Sequence, residues 1–455
     1  MKIQKGVLQK ILYLYLLIGP LVDMLTSLAV RAGMTGLTMG VLVRMAFVAA
    51  VVFYVLFLYK GKHKTKLCIA VVITSLYGVL YLANTVSVNG LGVLVENAKM
   101  FVKTYYFVYI LLGFYALYEE YGILISDKML TIVFCIYSTS ILLAAVTGTS
   151  FPTYEILGIG YCGWFYAGNE IGAIVAILSG IVLLYGFSHP KYFWIVILGL
   201  VAFCSTYIGT KVPFLAIVAV AVLLFLFWLA KQLVQKPAEA RRKIAKYLAL
   251  LLCILVLYSA GSPIKQNANV VQDRYENLVD STKPTEPDGA PDSDPDNNMI
   301  FDTGDWLLSG RLSNIHNVTK RYSQGSWADK LLGIGYTFRV NGKWNSDVVE
   351  MDFVAIFLKQ GIVGFAIFMA PLLYFAVVCI IRLFKKMRNF WELEASFIYI
   401  YAILIGLACA FIAGHVLVAP AVSIYIAVCI VKLYAQLTDS ENLQKAENLF
   451  DKEAQ

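Results

Sequence analysis

The sequence predicts an all-α polytopic membrane protein with about twelve transmembrane helices and one large extracytoplasmic loop. Three observations carry that prediction. Of 455 residues, 60% are hydrophobic and only 15% charged, and the mean hydropathy of +0.73 is too high for a soluble chain of this length. Apolar runs of about 17 to 25 residues, the length a helix needs to cross a bilayer, recur from end to end. One long polar stretch, residues 263–350, interrupts them.

The spans fall near residues 11–30, 37–59, 67–84, 100–118, 129–147, 169–187, 192–209, 211–230, 246–262, 351–381, 395–413 and 416–436. The first follows MKIQKGVLQK without a small-residue cleavage site, so it reads as a retained helix and not as a signal peptide. With the N-terminus inside, YKGKHKTK (59–66), KQLVQKPAEARRKIAK (231–246) and RLFKKMRNF (382–390) all fall in the cytoplasm, where lysine and arginine surplus belongs. This orientation makes both termini cytoplasmic. It divides the chain into nine spans in 1–262, an extracytoplasmic loop at 263–350 with more acids than bases, three spans in 351–436 and a cytoplasmic tail at 437–455.

Composition also excludes classes of function. The net charge of +8 is accounted for by the basic inner loops, so no nucleic-acid partner is expected. Cys68, Cys135, Cys204, Cys253, Cys379, Cys409 and Cys429 sit in apolar runs, and neither the long loop nor any CxxC pair offers a disulfide frame or a zinc site. STKPTEPDGAPDSDPDNN (281–298) has no apolar period and reads as a disordered excursion. Asp292, Asp294, Asp296 and Asn298 imitate a calcium loop, but Asn297 replaces its glycine, Pro295 interrupts its turn and Thr303 stands where the closing glutamate belongs. No metal and no cofactor are expected. Asn317-Val318-Thr319 is a glycosylation sequon, meaningful only in a eukaryotic secretory cell.

Polar residues in or beside the membrane are the candidates for function, because each costs several kcal/mol in lipid unless it pairs or lines a cavity. Asp23 and Arg44 can pair with one another across the first two spans. Glu96, Lys99 and Lys103 share one helical face near the outer end of the fourth span, as a snorkelling rim or as part of a cationic cleft. Asn169 and Glu170 open the sixth span, as expected of an N-cap and a first-turn acid. Lys211, beside Thr210 in a tight outer hairpin, either anchors a helix end or neutralises an anionic headgroup. The ordered-looking polar stretch from Asp305 to Gly364 adds Arg311, His316, Glu350 and Asp352, and His415 lies at the outer turn before the last span.

GWFYAGNEIG with Asn169, the hairpin GTKVPFLAI, SGRLSNI with Arg311, and LLGIGYTF followed by a helix ending in LKQGIVG occur in that order. In these motifs the chain resembles the O-antigen ligase and polysaccharide polymerase superfamily of bacterial membrane proteins. The resemblance implies a GT-C-like membrane-embedded glycosyltransferase in the bacterial plasma membrane that acts on undecaprenyl-diphosphate-linked glycans as donor and acceptor. It also implies membrane lipids, a flippase and a chain-length regulator as partners, a surface polysaccharide such as capsule, exopolysaccharide or O-antigen as product, and inversion at the anomeric carbon. Two departures qualify it. Thr210-Lys211 stands where the family has Ser-Arg, keeping the charge without the bidentate fork. The histidine that ligases to lipid A carry eleven residues before the glycine corresponds, counting back from Gly361, to Glu350. The acidic pair Glu350 and Asp352 resembles the polymerase branch.

On this reading the leaving diphosphate needs fixed cations, which Lys211, Arg311 and Lys103 can supply, and the attacking hydroxyl needs a base. Glu350 is the first choice and Asp352 the second, with Asn169, His316 and His415 in support and no metal required. The plain alternative is that the acids merely favour a helix N-terminus. Two other classes stay open: a flippase or transporter of lipid-linked sugars, which calls for related halves and helices interrupted at the midplane, and a structural or sensory protein whose loop binds a partner.

Overall fold

The computed structural model describes residues 4–34, 36, 38–154, 158–189, 192–270, 311–340, 343–346 and 349–438. Its helices are α1 (Lys5–Arg31), α2 (Met39–Phe53, prolonged by a π turn to Leu58), α3 (Lys64–Asn89), α4 (Leu94–Tyr121), α5 (Asp127–Val146), α6 (Gly168–Ser188), α7 (Phe193–Tyr207), α8 (Lys211–Val234), α9 (Ala240–Ser259), α10 (Arg311–Gln324), α11 (Trp327–Leu332), α12 (Asp352–Lys386), α13 (Glu394–Ile412) and α14 (Pro420–Thr438). All twelve predicted apolar runs are helices. Among the described residues, ten are long and apolar enough to cross a membrane, and α9 with its continuation Pro263–Val270, bent by 58°, makes an eleventh. The exception is α7, whose 15 residues cover only about 22 Å at 1.5 Å per residue, less than the hydrocarbon core. The chain is an all-α polytopic membrane protein.

The inner helices are α4, α6 and α14, whose surfaces are mostly buried, while α1, α2, α3 and α9 present Leu, Val and Ile outward to lipid. Small residues let the inner helices approach closely: a Cβ on Gly180 of α6 would stand 3.1 Å from Val220 of α8 and 3.3 Å from Ile398 of α13. The end of the bundle that carries the chain's N-terminus is pinned by buried ion pairs. Lys432 Nζ lies 3.0 Å from Asp127 and donates to the Ile125 carbonyl, and Tyr399 donates to the same carboxylate. Trp228 Nε1 donates to Glu394 at 2.7 Å.

At the other end, the described residues form two antiparallel hairpins that the sequence reading did not anticipate. β1 (Pro152–Tyr154) pairs with β2 (Ile159–Tyr161), and β3 (Thr337–Val340) pairs with β4 (Lys343–Ser346). The Asn-Gly dipeptide between β3 and β4 is a legible hairpin signal. The excursion at 281–298, with its calcium-like acids, and most of the tail at 437–455 lie outside the described residues.

The described half of the long polar segment docks on a break in α12. Gly361 interrupts that helix with φ 67° and ψ −178°, a conformation open essentially to glycine alone. Carbonyls freed near the break are taken by the GIGY motif: Ile334 N–H donates to Leu358 O at 3.4 Å and Gly335 N–H to Lys359 O at 3.2 Å. Around this crossing, Tyr77 donates to the Gln360 carbonyl, Tyr81 to Asn97, and the backbone N–H of Tyr336 to Asn97. The amphipathic α10 then covers the first turns of α12 with Ile315, Val318 and Tyr322.

Candidate active site

The end of the bundle that carries this segment also holds a cavity of about 770 Å³, walled by α1, α2, α4, α6, the β1 hairpin and the start of α14. Its floor is the Asp23–Arg44 pair: the guanidinium donates to one carboxylate oxygen and Tyr137 donates to the other at 2.8 Å. Pairing is what allows two charges to stand this deep among the spans. Tyr15 and Tyr106, hydroxyl to hydroxyl at 2.8 Å, flank the pair.

Cations line one wall. Lys99 and Lys103, one turn apart on α4, both face the cavity, and Glu96 holds Lys99 at 2.5 Å. The predicted shared face borders the cavity instead of forming a rim. Opposite stand Asn169 and Glu170 in the first turn of α6. The capping role expected of Asn169 is corrected here. The N-cap position is Ala167, with no side-chain cap, so the amide of Asn169 is left to face the cavity. Glu170 is the first-turn acid that was expected.

Glu350 and His415 complete the lining, and Asp352 holds the turn that carries His415. The Asp352 carboxylate is fully buried and accepts three backbone N–H bonds, from His415 and Val416 at 2.8 Å and from Leu417 at 2.6 Å. It thereby fastens the turn between α13 and α14 to the start of α12. His415 adopts φ 57°, rare for a residue other than glycine, and a Cβ on Gly414 would fall on the Glu350 carbonyl. Backbone contact at this point brings the histidine and Glu350 to the same wall. With both oxygens committed to backbone donors, Asp352 is a positioning residue in this geometry, whereas the sequence reading had offered it as a second base.

Lys211 and His316 are not among the residues that line the cavity. Lys211 is the exposed first residue of α8. Its neighbour Thr210 is buried against Gly172, and the hairpin before it is tied down by Thr153, which donates to Ile208 O, and by Asn267, which donates to Gly209 O. His316 is exposed on α10, on the side away from Ile315 and Val318. Arg311 opens α10, and its side chain lies outside the described residues. Sequence reasoning had named the Asp23–Arg44 pair and Lys99, but the pair served only as a structural contact. Nothing in the local sequence says that the two share a cavity with residues of α6 and α14.

Within the described residues no three His, Cys, Asp or Glu side chains converge in a way that could hold a metal ion. No curated protein matches the chain. A family model described as O-antigen ligase like membrane protein matches residues 5–440, which takes in every described helix. By that match, the chain belongs to the O-antigen ligase like family of membrane proteins.

Proposed function

We propose that the chain polymerises or ligates undecaprenyl-diphosphate-linked oligosaccharides into a cell-surface polysaccharide at the outer face of the bacterial plasma membrane, with both termini cytoplasmic. The observation that carries this reading is the cavity with two lysines on one wall and Glu350 and His415 on another. In the proposed step the acceptor hydroxyl attacks the anomeric carbon of the donor and forms the new glycosidic bond. The bond from that carbon to the diphosphate oxygen breaks, and undecaprenyl diphosphate leaves with the bonding pair. Glu350 takes the hydroxyl proton. Lys103 and Lys99 stabilise the negative charge that develops on the leaving diphosphate. Attack from the face opposite the leaving group inverts the anomeric carbon. Arg311 remains a second cation on sequence grounds, and Lys211 is assigned to the approach of the lipid, not to the grip. The step needs no metal.

The transporter alternative calls for an interrupted helix whose freed backbone lines a substrate or ion site. Here the break in α12 is filled by the backbone of Ile334 and Gly335, which favours the enzyme.

The test is reconstitution of the full chain with a purified undecaprenyl-diphosphate-linked oligosaccharide, with products sized by mass spectrometry. The expected result is a ladder of longer glycans with release of undecaprenyl diphosphate. Translocation of the lipid-linked sugar across the vesicle without any lengthening or transfer would overturn the proposal in favour of the transporter.

A further inference from the structure

A second cavity, of about 720 Å³, lies between α5, the end of α6 and the start of α7. Its α5 wall is formed by Lys128, Thr131, Ile132, Cys135, Ile136, Thr139, Ser140 and Leu143, positions that step by three and one and so lie on a single helical face. From Lys128 to Leu143 that face runs about 22 Å at 1.5 Å per residue. This is about half the thickness of a bilayer with its headgroups, the depth of one leaflet.

Along this wall the small Thr131, Cys135, Thr139 and Ser140 alternate with Ile132, Ile136 and Leu143. Their polar atoms are kept from lipid: Thr131 donates back to Asp127 O at 2.8 Å and Ser140 to Ile136 O at 2.7 Å. The interior is therefore apolar in effect.

One end is cationic. Lys128 is exposed in the first turn of α5 and pairs with no acid among the described residues. The adjacent Asp127 is turned inward onto Lys432 and Tyr399. His189 closes the same end, its Nδ1 donating to Tyr185 O at 2.8 Å, with Phe193 beside it. This is the end of the bundle away from the Glu350 cavity, so the groove opens on the opposite leaflet.

We propose that this groove binds one anionic glycerophospholipid of that leaflet, its phosphate at Lys128 and an acyl chain along α5. A helix N-terminus and a lysine together favour the phosphate, and the length and apolar lining favour the chain.

The full chain, in nanodiscs of equal phosphatidylglycerol and phosphatidylcholine, is released and weighed by native mass spectrometry. One retained phosphatidylglycerol is expected, in about fivefold preference over phosphatidylcholine, the weight of one lysine at an anionic lipid. Lys128→Gln should keep a lipid but lose the preference. Thr139→Trp, an exposed position that fills the groove without touching charge, should lose the lipid. Neither variant should alter glycan transfer, because neither residue lines the Glu350 cavity. The proposal is overturned if the unaltered chain retains no lipid or retains both kinds equally, or if Thr139→Trp keeps its phosphatidylglycerol.

Discussion

Lys103 and Lys211 are both lysines at the same end of the bundle, yet only the first lines the cavity that holds Glu350. If Lys103 neutralises the leaving diphosphate, Lys103→Gln should slow glycan transfer by about 100-fold, as loss of one preorganised donor does. Lys211→Gln should then stay within about threefold of the unaltered enzyme, the range of a peripheral charge. Equal losses in the two variants, measured on reconstituted protein, would return Lys211 to the grip. The two acids also separate by test. Asp352→Asn leaves three backbone N–H groups facing an amide with a single acceptor oxygen, at a cost of about 1–3 kcal/mol and a lower melting temperature. Glu350→Gln should lose about 100-fold or more in turnover, because it removes the base. A Glu350→Gln enzyme with parental turnover would move the base to His415.

The break in α12 and the GIGY segment act as one element. A Cβ at Gly361 would stand 2.6 Å from the Leu331 carbonyl, and one at Gly333 would stand 2.2 Å from the Lys359 carbonyl. Gly361→Ala should therefore cost about 1–3 kcal/mol in backbone strain alone, with Gly333→Ala similarly destabilising. Both variants should release the 311–346 segment, seen as faster protease cleavage there with the remaining spans intact. Because the two glycines meet at one crossing, the double variant should be less destabilised than the sum of the singles. Additive losses would mean that the two segments are held independently.

For the whole molecule, the loops between spans alternate so that the cavity, the described part of the 263–350 segment and both β hairpins share one end, while the ion pairs Lys432–Asp127 and Lys243–Glu394 lie at the other. The basic loops predict that the cavity end faces outward. A cysteine at Ala290 should then react with a membrane-impermeant maleimide in intact cells. Protection until lysis would reverse the orientation and, with it, the proposed site of polymer assembly.

The sequence by itself determined where the membrane helices lie, because twenty apolar residues have one stable arrangement in a bilayer and their hydropathy is local information. It also determined the pairing of Asp23 with Arg44, since two opposite charges in adjacent spans have little else to meet, and it marked Glu350, Asp352, Asn169 and His415 as residues of interest. Only the tertiary structure decided where those side chains stand and what they touch. Asp352 and Glu350 differ by two positions in sequence, but one is spent on the backbone of a turn more than sixty residues away and the other faces the cavity. Of the lysines expected at the diphosphate, Lys103 lines the cavity and Lys211 does not, because α4 is an inner helix and the start of α8 is an exposed one, a difference set by packing among all the helices and absent from any local pattern. The break at Gly361 escaped prediction for the same reason: the partners that satisfy the freed carbonyls of α12 lie some twenty-five residues earlier, in a segment whose own sequence looks like loop.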